Sequence, residues 1–384
     1  MKILHSIAQI DFRSGGPVRA VLDLSEALAD KGHTVEVIVK HGPDTPESWK
    51  RPGSPTRVTA LGRPQIGGAW FRGATLERIR EAVAGADVVH LHGIWTPQNT
   101  QFARIAREMN KPYVVSCRGM LDDWCMAQRK PKKLFYLRFL GGSAMLNNAA
   151  LIHCTAEGEL RQSEKWFPGS TGRIIPNLLS LDPYRNPPGR ELASARFPQL
   201  DRQEPSLLFL SRLHYKKGVE HLIDAARILR DRGTPHQVLI AGKGDDAYER
   251  KLREQTTRLG LDGLVSFLGM VIGDEKVSLY GAADMFVLPT SQENFGFVFF
   301  EALAAGCPVL TTRGVDTWPE LQEAGSLIIE QDADAIADAV IGVTRSRAER
   351  DALGQRGRAW VFEHMNPARI VESFERFYEE AAAG

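Results

Sequence analysis

The sequence predicts an α/β protein with two tandem doubly wound domains, and three observations lead to this prediction. Short β-rich runs alternate with helical patterns over nearly the whole length, which is typical of parallel sheets with right-handed crossovers. At 384 residues the chain is too long for one ordinary hydrophobic core. A proline-rich segment, residues 176–206, interrupts the alternation as a connection between domains would. We therefore expect two parallel sheets that face a central cleft.

The first domain is expected over residues 1–180. Its helix signal is clear at residues 17–32, where apolar residues recur at helical spacing, Pro17 suits the first turn and Gly32 suits the end. Six runs read as buried strands: KILHSIA, VEVIV, DVVHLHG, YVVS, LIHC and RII.

The second domain is expected over residues 206–365, after a linker at 181–205. Its strand signals, each followed by a helical pattern, are SLLFLS, QVLIA, LVSFL and MFVL. The final helical stretch, residues 366–384, has no strand after it, so it can pack on either domain and can join the first.

Composition and charge are those of an ordinary globular protein. Hydrophobic residues make up 43% and charged residues 25%, and a net charge of +1 gives no reason to expect nucleic acid as a partner. The four cysteines show no metal-ligand spacing, which favours free thiols in a reducing compartment. The sequence shows neither a run of 18 apolar residues nor a signal-peptide pattern, so we expect a cytoplasmic protein.

Two candidate ligand motifs follow strands of the second half, where doubly wound sheets bind their ligands. SRLHYKKG offers Arg212 and Lys217, two cations that could clamp a diphosphate or simply form a solvated basic turn. AGKGDDA resembles a dinucleotide-binding fingerprint, but the next strand ends in glycine instead of the acid that would hold a ribose. We interpret Gly244 as part of a tight turn that lets backbone approach a ligand.

The segment ENFGFVFFEALAAGCPVL, residues 293–310, places two glutamates eight positions apart around an apolar helix. Glu293 lies in the loop after MFVL, and residues 294–296 form the turn into the helix, whose free N–H groups suit an anion. Glu301 lies among apolar neighbours, and because an unpaired buried carboxylate is costly, a ligand role is favoured over a surface charge. The two carboxylates are therefore expected at the two ends of a nucleotide-linked ligand.

These motifs resemble those of the retaining glycosyltransferases of the group 1, or family-four, type, which have two Rossmann-like domains in the GT-B arrangement. The resemblance is strongest to enzymes that build bacterial exopolysaccharide and cell-surface glycans, and it covers nearly the whole chain. The stretches that carry it are SRLHYKKG, FLGMVIGDEKVSLYGAADMFVLPTSQENFG with the two glutamates, SGGP, HLHGIWTP, RGMLDDW and IIPN.

The resemblance implies a donor site for a UDP- or GDP-linked sugar and hexosyl transfer, with retention, to a glycan or lipid-linked saccharide. Arg212 and Lys217 would hold the diphosphate, Glu301 the ribose, and Glu293 the hydroxyls of the donor sugar. The remaining donor-binding residues would be Gly15, Gly16, Gly244, Asn294, Phe295 and Gly296.

We expect no metal and no other cofactor. The two cations and the helix start would stabilise the leaving diphosphate electrostatically. The D-x-D pair of the chain, Asp332 and Asp334, lies in a helical stretch near the end, a poor place for a metal-bound donor. Since no double-displacement nucleophile stands out, we expect front-face attack assisted by the leaving phosphate.

In the first domain, SGGP at residues 14–17 follows the first strand. Gly15 and Gly16 could form a plain turn or allow close backbone approach, and the resemblance places them beside the donor phosphate. His90 and His92 end a strand and point to one face. Strand histidines are usually satisfied core groups, but the resemblance favours His92 as a residue near the anomeric carbon.

Arg118 stands where relatives often carry the histidine of H-G-M-L, so an acid/base role does not carry over. It could bind an anionic acceptor or a phosphate of the donor. Asp122 and Trp124 could line the acceptor pocket or belong to a packed loop, and Asn177 of IIPN completes the acceptor side.

Residues 129–138, RKPKKLFYLR, are basic with aromatic neighbours. They could form a solvated helix face, or they could lie on an anionic membrane and make the protein peripheral at the inner face of the cytoplasmic membrane. Three other functions remain open: an NAD-dependent oxidoreductase, a non-catalytic sugar-nucleotide-binding protein and a sugar-nucleotide epimerase.

Overall fold

The chain folds into two compact units, each built around one parallel sheet. The first unit comprises Met1–Leu179 together with Pro367–Gly384, and the second comprises Ser180–Asn366. All strand pairs in both sheets are parallel and are joined through helices, which confirms the predicted doubly wound α/β class.

The computed structural model describes residues 1–12, 15–51 and 53–384. The strands in these ranges are β1 (Lys2–Ser6), β2 (Thr34–Val39), β3 (Thr56–Ala60), β4 (Val88–His92), β5 (Tyr113–Ser116), β6 (Leu151–Cys154), β7 (Thr171–Ile174), β8 (Ser206–Leu210), β9 (Gln237–Ala241), β10 (Val265–Gly269), β11 (Met285–Leu288), β12 (Val309–Thr312) and β13 (Leu327–Ile329).

The helices lie between these strands and at the end of the chain. They are α1 (Gly16–Asp30), α2 (Ala74–Gly85), α3 (Pro97–Glu108), α4 (Asp123–Ala127), α5 (Lys130–Phe139), α6 (Gly142–Asn147), α7 (Glu157–Ser163), α8 (Asp182–Arg185), α9 (Arg190–Arg196), α10 (Val219–Asp231), α11 (Asp246–Arg258), α12 (Gly273–Ala282), α13 (Phe297–Ala304), α14 (Trp318–Glu323), α15 (Ala333–Thr344), α16 (Arg347–His364) and α17 (Pro367–Ala383). None of these helices is long and apolar enough to cross a membrane.

The order of the strands determines where each sheet can bind a ligand. The first sheet runs β3-β2-β1-β4-β5-β6-β7, and the second runs β10-β9-β8-β11-β12-β13. The order reverses between β1 and β4 in the first sheet and between β8 and β11 in the second. A crevice forms at such a point because the loops that follow the two neighbouring strands lead to opposite faces of the sheet. The residues that follow these four strands are therefore the candidate site residues.

The central strands are buried on both faces, and this burial explains why their sequences are continuous apolar runs. Every residue of β4, β8 and β9 is buried, with helices covering the sheet. The edge strands β3 and β13 are only partly buried. Neither of them was predicted from the sequence, nor was the fully buried β12.

The segment expected to be a linker, residues 181–205, instead belongs to the second unit, and this corrects the predicted boundary. It contains α8 and α9, and the Ala193 amide donates to the Ser278 hydroxyl of α12 at 3.0 Å. Pro183 lies in the first turn of α8, and Pro198 begins a short 3₁₀ helix, Pro198–Asp201, so the missing N–H of each costs nothing.

The last helix, α17, joins the first unit. Its apolar residues recur every three or four positions and form one buried face, consisting of Ile370, Val371, Phe374, Phe377, Tyr378 and Ala381. This periodicity is typical of a helix that packs against a sheet.

Candidate active site

At the reversal point of the second sheet, the turn after β8 contacts the loop after β11. The ammonium group of Lys217 donates to the Glu293 carboxylate, with 11% and 25% of the two side chains exposed. The Lys216 carbonyl accepts from the Ser291 amide at 2.7 Å and from the Thr290 hydroxyl at 3.0 Å. The structure therefore brings together Lys217, one of the two residues predicted to bind the diphosphate, and Glu293, the residue predicted to bind the donor sugar.

Arg212 lies in the same turn and is exposed. Among the residues that the structure describes, its guanidinium makes no hydrogen bond and no ion pair. Partial burial and the positive charges of Arg212 and its lysine neighbours lower the pKa of His214. The turn therefore carries a positive potential, as a diphosphate site requires.

The loop that enters α13 is held by the segment after β12. The Glu293 amide donates to the Gly314 carbonyl at 2.9 Å, and the Glu293 carbonyl accepts from the Asp316 amide at 2.9 Å. The Asn294 side-chain amide donates to the Asp316 carboxylate at 2.9 Å. Gly296 has a φ of 68°, which a residue with a Cβ rarely adopts, and α13 begins immediately after it. The predicted turn into the helix is thus present, with its first N–H groups at the carboxyl edge of the sheet.

Phe295 contributes to this loop through its backbone, because its ring is buried. The ring stacks on Phe300 with centroids 4.8 Å apart, and the Phe295 carbonyl accepts from the Thr317 hydroxyl at 3.0 Å. The side chain therefore anchors the turn to α13.

Glu301 is buried, as predicted, but the premise that it is unpaired was wrong. The ammonium group of Lys276 lies 2.9 Å from one carboxylate oxygen, and the Tyr280 hydroxyl donates to the other at 3.3 Å. Both partners lie on α12, which packs beside α13. Burial next to Glu301 raises the pKa of Tyr280 well above its usual range, so the hydroxyl remains a donor.

Gly244 forms the expected tight turn after β9, and the structure explains the glycine by packing. A Cβ at this position would lie 2.2 Å from the Leu213 carbonyl oxygen. The Gly244 amide donates to the Glu249 carboxylate at 2.7 Å, so this N–H is already engaged.

In the first unit, four histidines form a buried cluster. His5 comes from β1, His90 and His92 from β4, and His153 from β6, while Ser116 of β5 lies between His90 and His153. The four strands are adjacent in the sheet. The cluster therefore spans the reversal point.

Burial keeps these histidines neutral. Together with the positive charge of Arg118, burial lowers the pKa of His5 and of His153 to about 3. Burial is also the main cause that lowers the pKa of His90 and of His92 well below the usual range. All four imidazoles are therefore uncharged at neutral pH.

One chain of hydrogen bonds in the cluster has a fixed direction. The Nε2–H of His153 donates to the Ile175 carbonyl at 2.8 Å, because a carbonyl can only accept. Its Nδ1 therefore accepts from the Ser116 hydroxyl at 2.7 Å, and that oxygen accepts from the Nε2–H of His90 at 2.7 Å. The Nδ1 of His90 then accepts from the Tyr378 hydroxyl at 2.8 Å, which ties α17 to the sheet.

A second chain leads from Arg118 to His5. An Nη2–H of Arg118 donates to Nδ1 of His92 at 3.2 Å, so the Nε2–H of His92 donates to Nδ1 of His5 at 2.7 Å. Ring nitrogens of His5, His90 and His92 lie within 4.8 Å of one another, a spacing that could suit a metal. These hydrogen bonds already engage both nitrogens of His90 and of His92. The arrangement is therefore a hydrogen-bonded cluster that holds His92, the predicted catalytic histidine, in one orientation.

Two of the predicted acceptor-side residues contact each other. Arg118 and Asn177 are buried, and the Nη1 group of Arg118 donates to the Asn177 side-chain oxygen at 2.9 Å. The Asp122 carboxylate accepts from the Cys125 amide and thereby caps α4. Trp124, on the same helix, is half-buried.

Of the SGGP motif, Ser14 lies outside the described residues, whereas Gly15 and Gly16 are exposed at the start of α1. Gly15 has a φ of 82° and a ψ of −149°, a conformation that is open to glycine alone. The glycine pair therefore turns the chain into the first helix after β1, at the reversal point of the first sheet.

Sequence reasoning missed the partners of the predicted residues: His5, His153, Tyr378, Lys276 and Tyr280. A usable signal existed for the two histidines, because KILHS and LIHC each place a histidine near the end of a predicted strand. No local signal marks the residues on helices.

Comparison with known protein families gives two matches that together span most of the chain. Residues 15–177 match the model of the glycosyl transferase 4-like domain, and residues 193–360 match that of the glycosyl transferases group 1.

Among curated proteins, the phosphatidyl-myo-inositol mannosyltransferase of Mycobacterium leprae is 27% identical over 377 residues, covering 96% of this chain and 94% of its own. The D-inositol 3-phosphate glycosyltransferase of Corynebacterium urealyticum is 30% identical over 305 residues, covering 75% and 70%. Among solved structures, Anabaena HepE in complex with UDP has a TM-score of 0.80 at 17% identity and covers 99% of this chain and 100% of its own. This structural similarity shows a shared fold.

Proposed function

Since the chain belongs to the group 1 glycosyltransferase family, we propose that it transfers a hexosyl unit, with retention, from a UDP- or GDP-linked sugar to a glycan or lipid-linked saccharide. The observation that carries the proposal is the contact between Lys217 and Glu293 at the reversal point of the second sheet. It places a cation and a carboxylate side by side, as a ligand with a diphosphate next to a sugar requires.

The chemistry depends on stabilising the diphosphate as it leaves. The exposed guanidinium of Arg212, the ammonium of Lys217 and the N–H groups at the start of α13 offer preorganised positive potential. The Glu293 carboxylate is engaged by Lys217, which disfavours it as a nucleophile toward the sugar. We therefore favour front-face attack assisted by the leaving phosphate, and isolation of a covalent glycosyl-enzyme would contradict it.

The proposed reaction uses no divalent metal. The carboxylates of the D-x-D pair have structural partners, because Asp332 caps α15 and Asp334 pairs with Arg232 at 2.9 Å. Turnover should therefore be the same with a chelator as with added magnesium or manganese. A loss of activity in the chelator that either metal restores would refute this part of the proposal.

Binding of the donor can be tested without knowing the acceptor. Thermal unfolding should be followed with UDP, GDP, ADP and NAD for the wild type and for Glu301→Ala. A ligand at 100 times its dissociation constant adds about 2.7 kcal/mol of stability, enough for a clear shift. Stabilisation by UDP or GDP that the variant loses would support the donor site, whereas stabilisation by NAD alone would favour the oxidoreductase.

We further propose that α5 brings the protein to an anionic membrane surface where a growing surface polysaccharide is presented. Phe135 and Phe139 are 54% and 68% exposed, with ring centroids 5.1 Å apart. Three exposed cations belong to the same stretch: Arg129 and Lys130 at the start of α5, and Arg138, whose guanidinium lies 5.9 Å from the centre of the Phe139 ring. Co-sedimentation with phosphatidylglycerol vesicles that Phe135→Ser/Phe139→Ser abolishes would support this role. Binding that is equal for the variant would contradict it.

A further inference from the structure

We infer that Arg118 binds a phosphate-like oxyanion of a substrate through guanidinium N–H groups that the fold leaves unused. The inference rests on the proposed function and adds the chemical class of a second ligand group, in the first unit. It is based on two observations about this buried side chain: its charge has no counter-ion nearby, and not all of its N–H groups are hydrogen-bonded.

Arg118 is a buried cation without a counter-ion. Only 8% of the residue is exposed, and among the described residues no carboxylate lies within 4.0 Å of its guanidinium. Glu159 attracts it from further away, but the Glu159 oxygens accept from the Gly119 and Thr155 amides. Burial lowers the pKa of Arg118 to about 10, so the group stays charged at neutral pH. A buried charge of this kind is costly unless a ligand compensates for it.

The hydrogen-bonding capacity of Arg118 is also incompletely used. A guanidinium has about five N–H donors. Here Nη1 donates to Asn177 and Nη2 donates to His92, both of which are neutral acceptors, and the buried Nε–H has no partner in the described part of the chain. An Nε–H beside an Nη–H forms the planar fork that grips two oxygens of a phosphate or carboxylate.

The backbone holds this side chain in place at a conformational cost. Arg118 has a φ of 53°, in the left-handed region, and Gly119 follows with a φ of 68°. A non-glycine residue in this region is uncommon and costs free energy that only the surrounding contacts repay. With Asn177 and His92 holding its two terminal nitrogens, the guanidinium is fixed in direction before any ligand binds.

Arg118 lies where a ligand-binding residue is expected in such a fold. It lies two residues beyond the end of β5, at the carboxyl ends of the strands, where ligands of such sheets bind. The diphosphate of the donor has its own proposed cations, Arg212 and Lys217, in the second unit. The oxyanion is therefore expected on the acceptor, as a phosphate or carboxylate, with a donor phosphate as the other source.

The test measures thermal unfolding against inorganic phosphate for the wild type, for Arg118→Met, and for Arg107→Met as an exposed control in the same unit. We expect phosphate at ten times its dissociation constant to raise the midpoint of the wild type and of the control by about 3 °C. The shift of Arg118→Met should be clearly smaller, because only the proposed diphosphate site at Arg212 and Lys217 remains to bind phosphate. Without phosphate, Arg118→Met should unfold at or above the wild-type midpoint, because it lacks the uncompensated charge. If Arg118→Met fails to fold, Arg118→Lys, which keeps the charge and loses the fork, should show a reduced shift.

An unchanged phosphate shift in Arg118→Met, or no shift in the wild type, would overturn the inference. Repeating the phosphate titration with saturating UDP or GDP identifies the source of the oxyanion. If the phosphate shift adds to the shift from the nucleotide, the oxyanion belongs to the acceptor. If the phosphate shift is lost, the oxyanion belongs to the donor. Failure of the proposed function would show as no stabilisation by any nucleoside diphosphate. The two failures are therefore distinguishable.

Discussion

The ammonium group of Lys217 is ion-paired with the carboxylate of Glu293, and this contact joins the turn after β8 to the loop after β11. Since 11% and 25% of the two side chains are exposed, solvent screens this pair less than it screens a surface pair. The cation proposed to hold the diphosphate is thus partly neutralised by the carboxylate proposed to face the sugar. Changes at the two residues should therefore have coupled effects.

Glu293→Gln should separate binding from turnover. Without the carboxylate, Lys217 carries its full charge toward a diphosphate, so we expect UDP or GDP to bind more tightly, by up to about tenfold. The same change removes the group proposed to interact with the sugar, and kcat should fall by about 100-fold or more. Calorimetry with the nucleoside diphosphate and initial rates with the donor sugar measure the two effects.

Two companion variants sharpen this prediction. Lys217→Met should weaken nucleoside diphosphate binding, and Glu330→Gln, which changes an exposed glutamate of the same unit, should leave both quantities unchanged. Weaker diphosphate binding by Glu293→Gln would show that the pair is needed to position Lys217 and that its neutralising effect is minor.

Lys276→Met should destabilise the protein by leaving the buried Glu301 carboxylate without its cation. Breaking a fully buried pair costs about 3–5 kcal/mol. Because 20% of the Lys276 side chain is exposed, we expect about 1–3 kcal/mol, measured by urea unfolding. The double variant Lys276→Met/Glu301→Gln should recover at least half of the loss, because it removes the uncompensated charge.

The single variant Glu301→Gln tests whether Glu301 also binds the ribose. Glu301→Gln keeps the size of the side chain and should weaken nucleoside diphosphate binding by about tenfold, the value of one hydrogen bond to a charged group. Lys251→Met, which breaks a pair whose lysine is 66% exposed, serves as the control and should change neither stability nor binding. Wild-type binding by Glu301→Gln would make the pair with Lys276 purely structural.

How far the sequence predicted the strands depends only in part on burial, because the buried β12 was missed and the partly exposed edge strands β7 and β10 were predicted. The central strands β4, β8 and β9 are continuous apolar runs because both faces are covered, and such runs are visible in the sequence. The edge strands β3 and β13 are short and partly exposed, so their sequences do not differ clearly from loops. The prolines of 181–205 suggested a linker, whereas Pro183 lies in the first turn of α8 and Pro198 begins a 3₁₀ helix.

The candidate site was predictable where its residues follow strands directly. Arg212, Lys217 and Glu293 could be found in this way, because the ends of parallel strands meet at one edge of a sheet. The pairing of Glu301 with Lys276 joins two helices through side-chain packing, which no local pattern encodes. The histidine cluster needed the strand order as well, since β1 and β4 are neighbours although 87 positions separate His5 from His92.

Gly218→Ala should disturb the site through the backbone. Gly218 has a φ of 69°, and a Cβ at this position would lie 2.1 Å from the Pro289 carbonyl oxygen, in the segment that leads to Glu293. Gly233 has the same φ of 69° with nothing within 4 Å, so Gly233→Ala is a matched control for the conformational cost alone. We expect Gly233→Ala to cost about 1–2 kcal/mol in urea unfolding and Gly218→Ala to cost a further 1–3 kcal/mol or so. Equal losses of stability in the two variants would show that the loop after β11 moves away from the added Cβ at no measurable cost.

Acid should destabilise the first unit through the buried histidines. Burial lowers the pKa of His5 to about 3, whereas in the unfolded chain the pKa is about 6.5. Below about pH 6.5 the unfolded state therefore binds more protons than the folded state, and stability falls as the pH falls toward 3. For each histidine that stays neutral the loss is about 1.4 kcal/mol per pH unit, or about 2 kcal/mol at pH 5.

His5→Asn isolates one of these contributions. The Asn side-chain oxygen can accept from the Nε2–H of His92 in place of the His5 Nδ1, but it does not titrate. Between about pH 7.5 and pH 5, this variant should lose about 2 kcal/mol less stability in urea unfolding than the wild type, whatever its stability at neutral pH. His364→Asn replaces an exposed histidine and should follow the wild type. If His5→Asn also followed the wild type across this range, His5 would take up its proton at the same pH in the folded protein as in the unfolded chain. At pH 5 its Nδ1 would then be protonated and could not accept from His92, as the direction of that hydrogen bond requires.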